Sequence, residues 1–263
     1  MAVPRETVRI AAIGDLHCTK NAQSLQSIFA HANDLADVLV LCGDLTDYGT
    51  PEEAHLLARE LGVVKMPIVA VLGNHDFESG KSDEVAKILG ESGVRVLDGD
   101  SCEFHGVGFA GVKGFCGGFG SHALGPWGED MIKRFVREAL DEALKLETAL
   151  ARLRTPSRIA VLHYSPILAT VEGEPPEVYA FLGSSRLEEP LGRYPVSAVF
   201  HGHAHRGRLE GQTRNGVPVY NVARPLLERS FHDRPPLRVL EIRRNGDSAD
   251  GAGAPDGQAV RHG

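Results

Sequence analysis

The chain has 263 residues, 42% of them hydrophobic and 24% charged, and a formal net charge of −7. These proportions are ordinary for a globular protein and exclude a disordered or fibrous chain; the length suits one large α/β domain or two small ones, and without a convincing linker one is favoured. The acidic balance argues against the clustered basic surface that extended nucleic acid needs, and no apolar stretch approaches the roughly 20 residues of a membrane helix, so a small substrate and no membrane contact are expected.

Residues 1–6 carry a proline and both charge signs and are too short a lead-in for a signal peptide, which makes a cytoplasmic location the expectation. The apolar run that follows predicts a strand over 8–13, then a helix over 22–35 and a strand over 37–42. The next helix, 51–61, has Thr50 at its N-cap position and Pro51 first in the helix, where the fixed φ of proline fits and its missing N–H costs nothing. A strand over 68–72 and a helix over 82–92 continue a βαβ alternation that points to a layered α/β fold.

Beyond a strand over 106–112, the glycine- and aromatic-rich stretch 112–127 reads either as a surface connection or as a rim against a substrate's leaving group. The longest helical pattern, 129–153, sets Ile132, Phe135, Val136, Ala139, Leu140, Ala143, Leu144, Leu150 and Leu153 on one stripe expected to face the core. Strands over 158–162, 196–200, 217–221 and 237–242 complete the series, with 164–195 between them as a weakly periodic insertion suited to a cap or an oligomer contact. One domain over 1–245 is expected; 246–263 is too polar and glycine-rich to bury a core and is expected to be disordered. Cys18, Cys42, Cys102 and Cys116 lack CxxC spacing and read as free thiols.

Residues able to hold a metal cluster at the ends of these strands, the place where loops of an open α/β sheet converge. Strand 8–13 runs into Gly14-Asp15-Leu16-His17, strand 37–42 into Gly43-Asp44-Leu45-Thr46-Asp47, and strand 68–72 into Gly73-Asn74-His75-Asp76. Strand 158–162 ends in His163, and strand 196–200 in His201-Gly202-His203-Ala204-His205. Any one of these alone has an equal claim to be turn or capping chemistry; the ordered set does not. Carboxylate, amide oxygen and imidazole without thiolate suit manganese, iron, zinc or nickel better than an all-oxygen calcium cage or an iron–sulfur cluster. Seven strong donors exceed one tetrahedral site, whereas two ions sharing a carboxylate use them all.

DLH, GDLTD, GNHD, a lone histidine and GHAH, in this order from Asp15 to His205, resemble the signature of the calcineurin-like metallophosphoesterases. The resemblance implies a four-layer α/β fold, a two-sheet β-sandwich flanked by helices, with the site at its loop-bearing edge. By motif position it implies one metal on Asp15, His17, Asp44 and His205 and a second on Asp44, Asn74, His163 and His203, with Asp44 as the bridge. The ions implied are two divalent or mixed-valence transition metals, manganese, iron or zinc. Two divalent ions outweigh the charges of Asp15 and Asp44 and leave room for an anionic phosphate. His75 is then expected beside the phosphate, its ring held by Asp47, to stabilise charge or protonate the leaving group, and Asp76 is expected to be structural.

The implied reaction is phosphoester hydrolysis by in-line attack of a hydroxide bridging the two ions. Because the motif set looks like that of class III cyclic-nucleotide phosphodiesterases, small or nucleotide-like phosphodiesters are the favoured substrates. A phosphomonoesterase or phosphoprotein phosphatase is the alternative, and a metal-binding scaffold without activity is the non-enzymatic one. A small phosphate ester is the expected partner, and homo-oligomerisation is left open. His201 matches no ligand position of the family and is read as packing or as bonding to a neighbour.

Overall fold

The computed structural model describes residues 6–244, so the tail expected over 246–263 lies outside the described residues. The strands are β1 (Thr7–Ile13), β2 (Val38–Cys42), β3 (Ile68–Val71), β4 (Val94–Val96), β5 (Asp100–Phe104), β6 (Val107–Gly111), β7 (Ser157–Val161), β8 (Ala198–His201), β9 (Glu210–Gln212), β10 (Pro218–Asn221) and β11 (Arg238–Arg243). The helices are α1 (Gln26–Leu35), α2 (Pro51–Leu61), α3 (Ser82–Glu91), α4 (Asp130–Arg152), α5 (Tyr179–Leu182), α6 (Glu188–Leu191) and α7 (Arg224–Ser230).

One sheet has the order β11-β1-β2-β3-β4 and the other β5-β6-β7-β8-β10-β9. In the first, β1 to β4 are parallel and β11 closes the edge antiparallel to β1, with Val8 opposite Ile242. In the second, β6, β7, β8 and β10 are parallel, with β5 and β9 antiparallel at the edges. The alternation of side chains along a strand separates the layers. Ile159 and Val161 of β7 and Phe200 of β8 join Ile10, Val40 and Val69, which the register puts on one face of the first sheet, in the cluster between the sheets. Ala160, Leu162 and Val199 face the other way and pack with Leu146, Leu150 and Leu153 of the α4 region. The architecture is the expected two-sheet sandwich flanked by helices, and it brings the loops following β1, β2, β3, β7 and β8 to one edge.

Helix α2 begins as the sequence dictates. Thr50 accepts from the Glu53 amide while Glu53 accepts from the Thr50 amide, a capping box with Pro51 in the first turn. Helix α1 instead starts four residues later than its apolar pattern suggested, because Glu60 of α2 reaches across to accept from Leu25 N, Gln26 N and Ser24 Oγ. A carboxylate there satisfies amides that open a helix and complements its dipole, so a tertiary contact fixes the boundary. In α4 the buried stripe runs through Val136, Ala139, Glu142, Leu146, Ala149 and Leu150, whereas Leu140 and Leu144, expected on it, are exposed. Strands β4, β5 and β9 were not predicted; β5 and β9 carry polar, partly exposed residues and owe their existence to pairing with a neighbour. Among the described residues all four cysteines are free, and no helix is long and apolar enough to cross a membrane.

Candidate metal centre

Five loops converge at that edge, and their backbone is unusual. Among the described residues, the non-glycine positions with positive φ are Asp15 (55°), His17 (46°), Asp44 (47°), His105 (54°) and His203 (68°). Four of the five carry expected metal ligands. A left-handed conformation costs an ordinary residue of order 1–3 kcal/mol, and such strain is kept where it aims a side chain. The glycines of the motifs make room for the same side chains. A Cβ added at Gly43 would collide with the His163 ring, one at Gly202 with the Asp15 carboxylate, and one at Gly73 with the backbone nitrogen and carboxylate of Asp44. Gly73→Ala is therefore expected to displace Asp44, weakening metal binding by roughly 10- to 100-fold and stability by about 1–3 kcal/mol. Metal titration and thermal unfolding check this, and unchanged affinity would show that the loop yields freely.

The expected ligands come together in compact groups. Asp15, His17 and His205 have donor atoms all within 4.8 Å of one another, as do Asp44, His163 and His203, and a third such group joins His17, Asp44 and His75. Asp15 and Asp44 are buried, and His163 is fully so. Asn74 reaches the second group through Oδ1, 2.9 Å from His163 Nε2, which also faces Asp44 Oδ1 at 3.4 Å.

Hydrogen bonding fixes which ring nitrogens face inward. His163 Nδ1 donates to the Cys42 carbonyl at 3.0 Å, His17 Nδ1 to Asp47 Oδ1 at 3.1 Å, and His203 Nε2 to the Phe181 carbonyl at 3.1 Å. In the neutral ring the opposite nitrogen of each is then a bare lone pair. His17 Nε2 is buried without any hydrogen-bond partner, and His163 Nε2 faces two oxygens. A bare nitrogen turned toward carboxylate and amide oxygens, with the other nitrogen anchored outside, is the arrangement a transition metal requires, so the donor set fits two such ions.

The electrostatics of these side chains agree. Burial pushes His203 down to about 3 and lowers His17, keeping both imidazoles neutral and ready to ligate. Burial works against the Asp15 carboxylate, but the His205 hydrogen bond and the neighbouring imidazoles outweigh it and hold the group below its usual range. The same bond to Asp15, 3.1 Å from His205 Nε2 to Oδ1, raises His205.

His75 lies at the edge of this cluster, half exposed, its ring 4.6 Å from that of His17. Its Nδ1 donates to the backbone carbonyl of Asp47 at 2.8 Å, while the Asp47 carboxylate is 3.8 Å away and bonds His17 more closely. Burial would lower His75, but the Asp47 carbonyl and the charges of Asp44, Asp47 and Asp76 raise it above its ordinary value. Asp76, fully buried, accepts from Leu45 N, Thr46 N, Thr46 Oγ1 and Gly73 N and ties the loop after β2 to the loop after β3. His201 points away from the cluster, bonded to Thr170 Oγ1 at 2.8 Å, and burial holds it down at about 4.

Two contributors have no motif. Phe181, from the insertion over 164–195, reaches His203 through a backbone carbonyl. The Tyr164 ring stands 4.6 Å from that of His203 and 5.3 Å from that of His163. The insertion is bound to the stretch over 112–127 by Gly117 N to Ala180 O at 2.8 Å and Gly118 N to Gly183 O at 2.9 Å. An aromatic directly after His163 was the one available signal, because a residue adjoining a ligand at a strand end has little choice but to line the site.

The family model described as calcineurin-like phosphoesterase matches residues 8–207. A curated protein from Arcobacter nitrofigilis, named as a probable glycerophosphodiester phosphodiesterase, is 23% identical over 219 residues, covering 77% of this chain and 69% of that protein. The solved structure of phosphopantetheinyl hydrolase from Mycobacterium tuberculosis superposes with a TM-score of 0.65 at 16% identity, over 88% of this chain and 95% of that one. A structure from Thermus thermophilus superposes with a TM-score of 0.54 at 16% identity, over 90% and 99% of the two chains.

Proposed function

The chain belongs to the calcineurin-like phosphoesterase family and is a metal-dependent phosphoesterase, and from that premise we propose that it is a two-metal phosphodiesterase acting on small or nucleotide-like diesters. The observation that carries the two-metal reading is the position of Asp44, which belongs to ligand groups on both sides of the cluster. In this reading Asp15, His17, Asp44 and His205 hold one ion, and Asp44, Asn74, His163 and His203 the other. The ions are of manganese, iron or zinc type. When bound, they supply Lewis-acid polarisation of the phosphoryl oxygens and acidify a water for in-line attack.

The protein's own part centres on His75. With Nδ1–H committed to the Asp47 carbonyl, the free edge of the ring is Nε2. The surrounding carboxylates favour the protonated ring, so Nε2–H is a donor able to stabilise the phosphoryl oxygens or give its proton to the leaving oxygen. Asp47 serves this role through its backbone carbonyl, and its carboxylate orients His17. The preference for diesters is supported by the motif set, which resembles class III cyclic-nucleotide phosphodiesterases, and by the name of the Arcobacter relative. The protein stripped with chelator is expected to be inactive on bis(p-nitrophenyl) phosphate and to regain activity with two equivalents of metal. A panel of mono-, di- and cyclic esters with manganese, iron and zinc tests the substrate class, and faster turnover of monoesters would overturn the diester reading.

A further inference from the structure

Strand β6 is parallel to β7, so the segment that follows it emerges at the same edge as His163. Its first long side chain there is Lys113. The backbone of Lys113 is built into the site: its carbonyl accepts both the His163 amide at 3.0 Å and the Tyr164 amide at 3.1 Å. The next residue is pinned as well, since Gly114 N donates to the buried carboxylate of Glu142 at 2.8 Å.

The ammonium of Lys113 sits among three rings, 5.0 Å from the centroid of Phe115 and 5.4 Å from those of Phe77 and Tyr164. Two of the three belong to the metal centre's surroundings. Tyr164 packs on His203, and Phe77 follows His75 by two residues and is 43% exposed at the rim. The rings attract the cation through their faces but carry no net charge to neutralise it. Of the three N–H donors of the ammonium, one goes to the Gly114 carbonyl at 2.8 Å. Lys113 forms no ion pair among the described residues, and Glu142, the acid whose charge bears on it most, is occupied by Lys145 at 2.7 Å and by Gly114 N. Burial lowers the pKa of Lys113, outweighing the more distant charges of Glu142 and Glu138, which raise it. A half-buried cation without an ion pair of its own, beside a centre that itself collects positive ions, is stabilised further when an anion arrives.

We propose that Lys113 is a specificity residue: held in the cage of Phe77, Phe115 and Tyr164 beside the metal centre, its ammonium receives a second anionic group, a phosphate or a carboxylate, carried by the substrate. The proposal rests on the phosphoesterase reading of the metal centre, which supplies the site for the first phosphate. Two donors and a full charge suit such a group, and the aromatic walls fit the carbon linker that joins it to the scissile phosphate.

Three phosphonates test it by calorimetry on the metal-loaded protein: methylphosphonate, 3-phosphonopropionate and propane-1,3-bisphosphonate. The wild type is expected to bind the two probes that carry a second anion more tightly than methylphosphonate, and Lys113→Met, which keeps the apolar stem, is expected to reduce that preference roughly 10- to 100-fold. The carboxylate and bisphosphonate arms tell which anion is read. The same ratio is then measured as kcat/KM on p-nitrophenyl phosphodiesters whose second arm ends in a hydroxyl, a carboxylate or a phosphate. If the wild type shows no preference for a second anion, or Lys113→Met weakens every probe equally, the proposal is wrong. Because that wild-type comparison needs no variant, misfolding of Lys113→Met leaves it decisive. Absence of turnover on every ester with an intact binding preference would count against the phosphodiesterase reading and in favour of the anion site.

Discussion

Asp44→Asn is expected to empty both metal positions and reduce phosphodiester turnover by about 10³-fold or more, a larger loss than removal of one transition-state hydrogen-bond donor. The substitution keeps the shape of the side chain, and asparagine tolerates the left-handed backbone that Asp44 adopts at φ 47°. The hydrogen bond from His75 N to Oδ1, 2.9 Å, can also survive. What disappears is the negative charge placed 3.4 Å from His163 Nε2 and 3.9 Å from His17 Nε2, one on each side of the cluster. Elemental analysis after dialysis reads the outcome directly: loss of one equivalent alone would assign Asp44 to a single ion, and retention of two with normal turnover would remove it from the ligand set.

His75→Ala is expected to separate chemistry from assembly. The ring is half exposed, so its removal should leave the fold and two metal equivalents in place while kcat falls roughly 10²- to 10⁴-fold, the range for loss of a positioned proton donor. The dependence on leaving group identifies the role. Nitrophenolate departs without protonation and an alkoxide does not, so a proton donor predicts a much larger defect on alkyl or ribose esters, and a stabiliser of phosphoryl charge predicts similar defects on both. The measurement pairs kcat on the two ester types with metal stoichiometry. The His75 donor atom also lies within 4.8 Å of those of His17 and Asp44, so metal loss in the variant would make the residue a ligand.

The residues that compose the cluster were legible because each lies within a few positions of the end of an apolar strand, and all of those strands but β7 announce their ends with glycine. Thr50 and Pro51 made the start of α2 equally plain. What the sequence concealed was set by contacts between distant segments. Glu60 opens α1 from another helix, and nothing near Leu25 points to it. Leu140 and Leu144 share the apolar character of Leu146 and Leu150, and only the sheet beneath decides which of them it covers. The division of labour in Asp47, with its carbonyl on His75 and its carboxylate on His17, depends on rotations that no motif encodes. The Phe181 carbonyl is a backbone group and has no sequence signature.

Asp15 and His205, bonded to each other, are separated by 190 residues, and Arg238–Arg243 must pair with Thr7–Ile13 before the first sheet has its outer strand. Contacts so remote along the chain form late, since the intervening polymer must be closed before they are rewarded. The N-terminal βαβ units can take shape while Asp15, Asp44 and Asn74 still lack their imidazole counterparts from the second sheet. An ion encountered at that stage finds half a coordination sphere. With the proposed ligand set, metal capture is expected to follow the folding of the chain and to fall to a nearly finished molecule.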